Sequence, residues 1–151
     1  MEFVTGGAGY IGSHTCLELL IAGHEVTVYD NFCNSQPEAL HRVQTICGRK
    51  LTLVEGDLRD SVRLVKALQD SAANAVIHFA GLKAVGESVD KPLAYYDNNV
   101  AGSLRLLEAM ATCNVKTLVF SSSATVYGEP QRLNLTRSIP CPPPTPTDAA
   151  N

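Results

Sequence analysis

Chemistry is most concentrated near the start of the chain, in Thr5-Gly6-Gly7-Ala8-Gly9-Tyr10-Ile11-Gly12. Gly7, Gly9 and Gly12 satisfy G-x-G-x-x-G, while Gly6, Gly9 and Gly12 satisfy the looser G-x-x-G-x-x-G. Without side chains the backbone turns tightly and comes close to a pyrophosphate, whose charge the free amides of a following helix can hold. Such a string alone also fits a glycine-rich turn with no ligand. Its context narrows the choice: an apolar strand precedes it, a helical pattern follows, and Asp30 ends the second strand 18 residues past Gly12. An acid there can accept from the adenosine ribose hydroxyls and repels a 2′-phosphate, so the pattern points to NAD rather than NADP.

The remaining candidates stand at strand ends. Asp57 follows the third strand in Gly56-Asp57-Leu58, and Lys83 lies just past the fourth. Each is equally readable as a solvated surface charge, yet each sits at the carboxyl edge where ligands bind in such sheets. Ser121-Ser122-Ser123 places three hydroxyls at the same edge. His78 lies inside an apolar strand and reads as a hydrogen-bonded core histidine. His14, His24 and His41 show no partner pattern.

The elements that must position these groups alternate in type. Strand character at Phe3 to Thr5, Glu25 to Tyr29, Leu51 to Val54, Ala75 to Phe79 and Lys116 to Ser121 is interleaved with helical period. The helices are expected over Ile11 to Ala22, Pro37 to Ile46, Ser61 (as cap) to Leu68, and Pro92 to Thr112, the last with Leu104, Leu107 and Ala111 on one stripe. The fourth strand should be buried on both faces. Right-handed strand–helix–strand crossovers then build an α/β fold, a doubly wound parallel sheet of the Rossmann type, cut after its fifth strand. Residues 1–128 form this incomplete domain. Residues 129–151 form an irregular tail, since six of the eight prolines lie beyond Gly128.

Bulk properties exclude several classes. The chain has 151 residues, 45% of them hydrophobic and 18% charged, enough for one buried core. A net charge of −3 gives no reason to expect nucleic acid or an anionic membrane as partner. No apolar run approaches the roughly 18 residues that span a bilayer. The start does not resemble a signal peptide. Five scattered cysteines (Cys16, Cys33, Cys47, Cys113, Cys141) suit reduced thiols in a cytoplasmic protein better than a metal cluster or disulfide framework.

The residues also carry a resemblance. Thr5 to His14 resembles the opening of the extended short-chain dehydrogenase/reductases. Three further strings are similar to the UDP-glucose 4-epimerase family: Phe79-Ala80-Gly81-Leu82-Lys83-Ala84-Val85-Gly86-Glu87-Ser88, Tyr95-Tyr96-Asp97-Asn98-Asn99-Val100, and Phe120 to Gly128. The likeness runs in register from residue 1 to about 136. It implies bound NAD, a UDP-sugar substrate, and interconversion of UDP-galactose and UDP-glucose through a 4-keto intermediate, as in galactose metabolism. It also implies a homodimer in the full-length protein, formed largely through helices of this domain. Tyr10 and Ile11 would lie against the pyrophosphate. Asp30, Asn31, Phe32, Cys33, Asn34 and Ser35 would surround the adenosine ribose, and Asp57 with Leu58 the adenine. Phe79, Ala80, Gly81, Leu82 and Lys83 would run under the cofactor, with Asn98 also in contact. Ser123 would be the catalytic hydroxyl on the sugar's 4-oxygen. A sister reaction such as dehydration or decarboxylation fits the glycine turn but not the string from Gly81 to Ser88. A module that only binds NAD is the third reading.

One departure stands out. The resemblance calls for Y-x-x-x-K about 25 residues after Ser123, and that stretch reads Thr147-Asp148-Ala149-Ala150-Asn151. No tyrosine follows Tyr127 and no lysine follows Lys116. The expectation is therefore a chain without catalysis, lacking this pair and the sugar-binding domain, and prone to aggregate at an unpaired sheet edge. The tail itself offers a reason. Read from the third base of each codon, with synonymous choices allowed, Arg137 to Asn151 can encode E-H-P-L-S-P-T-N-P-Y-G-R-S-K. Two of the three bases in every new codon are fixed by the residues present, so a match over fourteen positions points to one inserted or deleted base close to Thr136. A natural truncation or an alternative product with a proline-rich end competes with this reading.

Overall fold

Among the described residues five short parallel strands form one sheet: β1 (Glu2–Thr5), β2 (Val26–Asp30), β3 (Thr52–Glu55), β4 (Ala75–His78) and β5 (Thr117–Phe120). They stand in the order β3-β2-β1-β4-β5, so the chain reverses direction across the sheet between β1 and β4. This is the expected doubly wound, Rossmann-type α/β sheet. The computed structural model describes residues 1–122. Ser123 and the proline-rich tail with its alternate-frame reading lie outside the described residues.

The helices are α1 (Tyr10–Ile21), α2 (Pro37–Cys47), α3 (Ser61–Ser71), α4 (Val85–Asp90), α5 (Pro92–Tyr95) and α6 (Gly102–Thr112), with a π turn over Tyr96–Ala101. Side chains alternate across the pleat, so neighbouring residues feed opposite layers. Phe3, Tyr29 and Val76 join Leu64, Leu68, Leu106 and Met110 in a core beneath α3 and α6. Val4, Val26 and Val28 join Cys16, Leu20 and Leu40 in a second core beneath α1 and α2. Both layers rest on the central strands, and these hold the glycine turn and Asp30 rigidly at their carboxyl ends.

Four expectations change in detail. Asp60 rather than Ser61 caps α3, accepting from the Arg63 N–H at 3.1 Å, because aspartate reaches the third amide while Ser61 already occupies the first helical position. β4 is fully buried only at Val76 and His78, with Ala75 and Ile77 part-exposed. The single helix from Pro92 to Thr112 is three segments, the middle one a π turn, and an extra helix, α4, precedes it. Its buried stripe is Leu106, Ala109 and Met110, whereas Leu104 and Leu107 are about half exposed (53% and 47%). Both stripes satisfy helical period, and packing of α3 against α6 selects the one that faces the sheet.

Candidate cofactor groove

The glycine turn folds as two positions dictate. Gly6 takes φ +68°, and a Cβ there would come within 2.5 Å of the Ala80 amide nitrogen. Gly12 packs so closely that a Cβ would collide with the Gly6 carbonyl oxygen and lie 2.7 Å from Gly7 Cα. The tight fit is therefore within the turn and against Phe79 and Ala80, just past β4. Gly7 is buried against Val28, while Gly6, Gly9 and Gly12 line a groove, so the G-x-x-G-x-x-G spacing is the one that describes the surface.

That groove encloses about 490 Å³ along the carboxyl ends of the strands. Gly6, Gly9, Tyr10, Ile11, Gly12, Asp30, Asn31, Cys33 and Asn34 line it from the β1 and β2 side. Asp57, Leu58, Phe79, Ala80, Gly81, Leu82, Lys83 and Asn98 complete it, with Tyr29, Gly56, Ser121 and Ser122 added. Phe32 and Ser35 stand off its surface. Phe32 packs against the α1–α2 core, and the buried Ser35 hydroxyl donates to Asp30 Oδ1 at 2.9 Å. Ser123 lies outside the described residues.

The electrostatics of the groove suit an anionic ligand at one end. Gly9 begins α1 without a side-chain cap, so the amides of Tyr10, Ile11 and Gly12 carry the orphan donors of a helix start. Lys83 is exposed at the groove, has no hydrogen-bond or ion-pair partner among the described residues, and partial desolvation of its ammonium lowers its pKa. At the other end Asp30 accepts from Ala8 N–H at 2.9 Å through Oδ2, and from Phe32 N–H at 2.9 Å and Ser35 Oγ through Oδ1. A carboxylate offers about four acceptor sites, so one remains for a ligand hydroxyl. Free amides, an unpaired cation and a spare carboxylate lone pair together fit a dinucleotide.

Two groups of side chains brace the groove. Arg59 grips Asp57 through Nε at 2.8 Å and Nη2 at 2.6 Å, and reaches Asp97 on the π turn at 2.6 Å. Asn31 donates to the same Asp57 carboxylate at 2.9 Å. Arg59 and these donors hold the Asp57 carboxyl well below the usual range. Asn99 clamps the loop after β4. Its Oδ1 accepts from Leu82 N–H at 2.8 Å and its Nδ2 donates to the Leu82 carbonyl at 2.9 Å. Sequence reading missed Arg59, Asp97 and Asn99; a charge two residues past Asp57 was the available hint for the first.

His78 is the core histidine expected. It is 3% exposed, and burial, with the nearby Lys83 charge, pushes its pKa down to about 4. The unfolded value is about 6.5, so between these limits the unfolded chain binds the extra proton and the folded one does not. Stability conferred by neutral His78 is intact above about pH 6.5 and declines as pH falls toward 4, by about 3 kcal/mol in all. Melting midpoints across this window should fall with pH in the parent and flatten in His78→Gln. An equal slope in both would assign the acid sensitivity elsewhere.

The sheet order and the groove at the switch point between β1 and β4 define a Rossmann-type dinucleotide domain. Comparison with known proteins makes the class specific. Residues 3–150 match the NAD dependent epimerase/dehydratase family, and the chain belongs to it. It is 57% identical to a UDP-glucose 4-epimerase of Klebsiella pneumoniae over 130 residues, 86% of this chain and 94% of that one. It is 55% identical to a UDP-glucose 4-epimerase of Schizosaccharomyces pombe over 141 residues, 92% of this chain but 40% of that one. UDP-glucose 4-epimerase from Bifidobacterium longum, solved in complex with NAD+ and UDP, superposes with TM-score 0.92 at 48% identity, covering 99% of this chain and 45% of that chain. The Stenotrophomonas maltophila enzyme, solved with NAD and formylated UDP-arabinopyranose, gives TM-score 0.92 at 45% identity, with 99% and 44% covered. The chain thus spans less than half the length of these last three relatives.

Among the described residues no helix is long and apolar enough to cross a membrane, and Cys16, Cys33, Cys47 and Cys113 are free.

Proposed function

We propose that this chain is the cofactor half of a UDP-glucose 4-epimerase, binding NAD in the groove between the glycine turn and Lys83. The observation that carries the reading is the convergence on one groove of uncapped α1 amides, Asp30, and Lys83 with no partner among the described residues, with Phe79 to Lys83 along one wall. Tyr10, Ile11 and Gly12 amides would hold the pyrophosphate. Asp30 and its loop would take the adenosine ribose, with Asp57 and Leu58 beside the adenine, and Asn98 and Lys83 would approach the nicotinamide ribose. NAD held there supplies reversible hydride acceptance at sugar C4, allowing inversion through a 4-keto sugar. Ser123, three residues beyond β5, is positioned by sequence to hydrogen-bond the 4-oxygen of a UDP-sugar. The proton acceptor expected from Y-x-x-x-K is missing from residues 137–151, so this chain binds cofactor without turning substrate over. The apolar, exposed Leu93, Leu104 and Leu107 support pairing of the intact protein as a homodimer through this helical segment. A nucleotide-sugar dehydratase or decarboxylase shares the groove but not the string from Gly81 to Ser88, and a module that only binds NAD is the remaining reading.

Calorimetric titration with NAD+ tests the proposal. Saturable binding at one site per chain, with NADP+ markedly weaker, is the expected result; a flat titration removes it. Lys83→Met sharpens the test because fold and binding respond differently. The substitution removes an exposed ammonium with no partner among the described residues and should leave the melting temperature essentially unchanged. It should weaken NAD+ binding about 10- to 100-fold, the worth of one or two charge-assisted hydrogen bonds. Unchanged affinity would take Lys83 out of the site.

A further inference from the structure

The π turn Tyr96–Ala101 serves the groove three times over. Asp97 pairs with Arg59, Asn98 lines the wall, and Asn99 grips both backbone groups of Leu82, the residue before Lys83. Asn98 Nδ2 also donates to Asn99 Oδ1 at 2.9 Å, which fixes how Asn98 faces the groove. An insertion of this kind, widening a helix, persists only when something outside the helix selects it. Ser103 supplies part of the selection. Its hydroxyl donates to the Asn99 carbonyl at 2.5 Å, competing there with the ordinary helical amide.

Ser103 is in turn held by the sheet. Its proton is committed to Asn99, so its oxygen accepts from His78 Nε2, 3.0 Å away. That assigns the Nε2–H tautomer and leaves Nδ1 as acceptor for the Thr5 hydroxyl at 2.6 Å. Thr5, Ser103, the Phe120 ring and the Lys83 charge are the groups that face the imidazole. A continuous chain of hydrogen bonds thus runs from β1 through β4 to the π turn and back to the loop that bears Lys83.

We infer that His78 is a positioning residue for the cofactor groove, transmitting the rigid register of β1 and β4 through Ser103 to Asn98 and the Leu82–Lys83 backbone. The inference rests on the cofactor reading above. Two isosteric variants separate the ends of the imidazole. His78→Gln retains a donor near Nε2, whereas His78→Asn keeps an acceptor near Nδ1 and loses the link to Ser103. Titrated calorimetrically with NAD+ at a temperature where each variant is folded, His78→Asn and Ser103→Ala should each weaken binding about tenfold, the scale of one buried hydrogen bond. His78→Gln should remain within about threefold of the parent, and the His78→Asn/Ser103→Ala pair should bind no worse than either single, since both cut one chain. Unchanged affinity in Ser103→Ala overturns the inference, even if His78→Asn does not fold. Fully additive losses, or a His78→Gln as weak as His78→Asn, overturn it as well. A parent chain that binds no NAD+ removes the cofactor reading and the relay's role with it; a parent that binds while the variants stay level removes the relay alone.

Discussion

Correcting one base near codon 136 should yield epimerase activity that the uncorrected chain is expected to lack. Resequencing the gene across codons 125 to 165 is expected to show the frame that encodes E-H-P-L-S-P-T-N-P-Y-G-R-S-K in place of Arg137 to Asn151. Expressed from that frame with the coding region that follows, the protein should interconvert UDP-galactose and UDP-glucose. The chain as it stands should show no turnover above background. The physical basis is the missing Y-x-x-x-K pair. A positioned tyrosine, its pKa lowered by a neighbouring cation, accepts the proton of the 4-hydroxyl as the C4 hydrogen leaves, and such acid–base assistance alone contributes roughly 10²–10⁴-fold. NAD+ affinity should differ far less between the two proteins, because the groove residues from Gly6 to Ser122 are common to both. If the bases stand as translated, the frame reading is lost. If the corrected chain carries the tyrosine and lysine yet stays silent, the epimerase assignment is lost instead.

How far the sequence disclosed this molecule depended on the range of the interactions. The strands and the first three helices are legible because each is written in adjacent residues: apolar runs for β1, β2 and β4, a proline opening α2, glycine at the end of α1. The groove is legible for the same reason, since its glycines and strand-end acids are local features whose edge is set by topology. The π turn is not. Residues 92–112 keep one apolar periodicity throughout, and the contacts made at the widened turn, Ser103 with Asn99 and with His78 of β4, depend on the fold. Arg59 and Asp97 are 38 positions apart and meet only through the fold. Phe32 and Ser35 belong to the expected ribose-binding run, and their packing was not legible: Phe32 rests partly buried against the α1–α2 core and Ser35 donates to Asp30. Adjacency in a motif indicates which loop is used, and packing sets how each of its side chains is held.

Asp30→Asn should be the most damaging single-atom change in the described structure. The wild-type carboxylate draws three protein donors: the Ala8 amide on one oxygen, the Phe32 amide and Ser35 hydroxyl on the other. The residue is 7% exposed, so water cannot replace a lost acceptor. In asparagine one oxygen becomes an NH₂ group, and in either orientation that group confronts a backbone N–H. Ser35 can rotate its hydroxyl to relieve a clash, but neither Ala8 nor Phe32 can move its amide without opening the glycine turn or the loop after β2. One charge-assisted bond lost and one buried donor left unmet cost about 2–4 kcal/mol together, which lowers the melting temperature by about 10 °C in a domain of this size. The ligand suffers twice, through a turn no longer held in place and through a ribose acceptor turned to a donor, so NAD+ affinity should fall about 100-fold or more. NADP+ should gain nothing, because the turn that carries the phosphate-binding amides is itself displaced. Differential scanning calorimetry and NAD+ titration on the same preparation decide the matter. A variant that melts within about 2 °C of the parent, well short of the loss expected from an unmet buried amide, would show that the glycine turn does not depend on Asp30. Binding within threefold of the parent would show that the ribose end of the groove lies elsewhere.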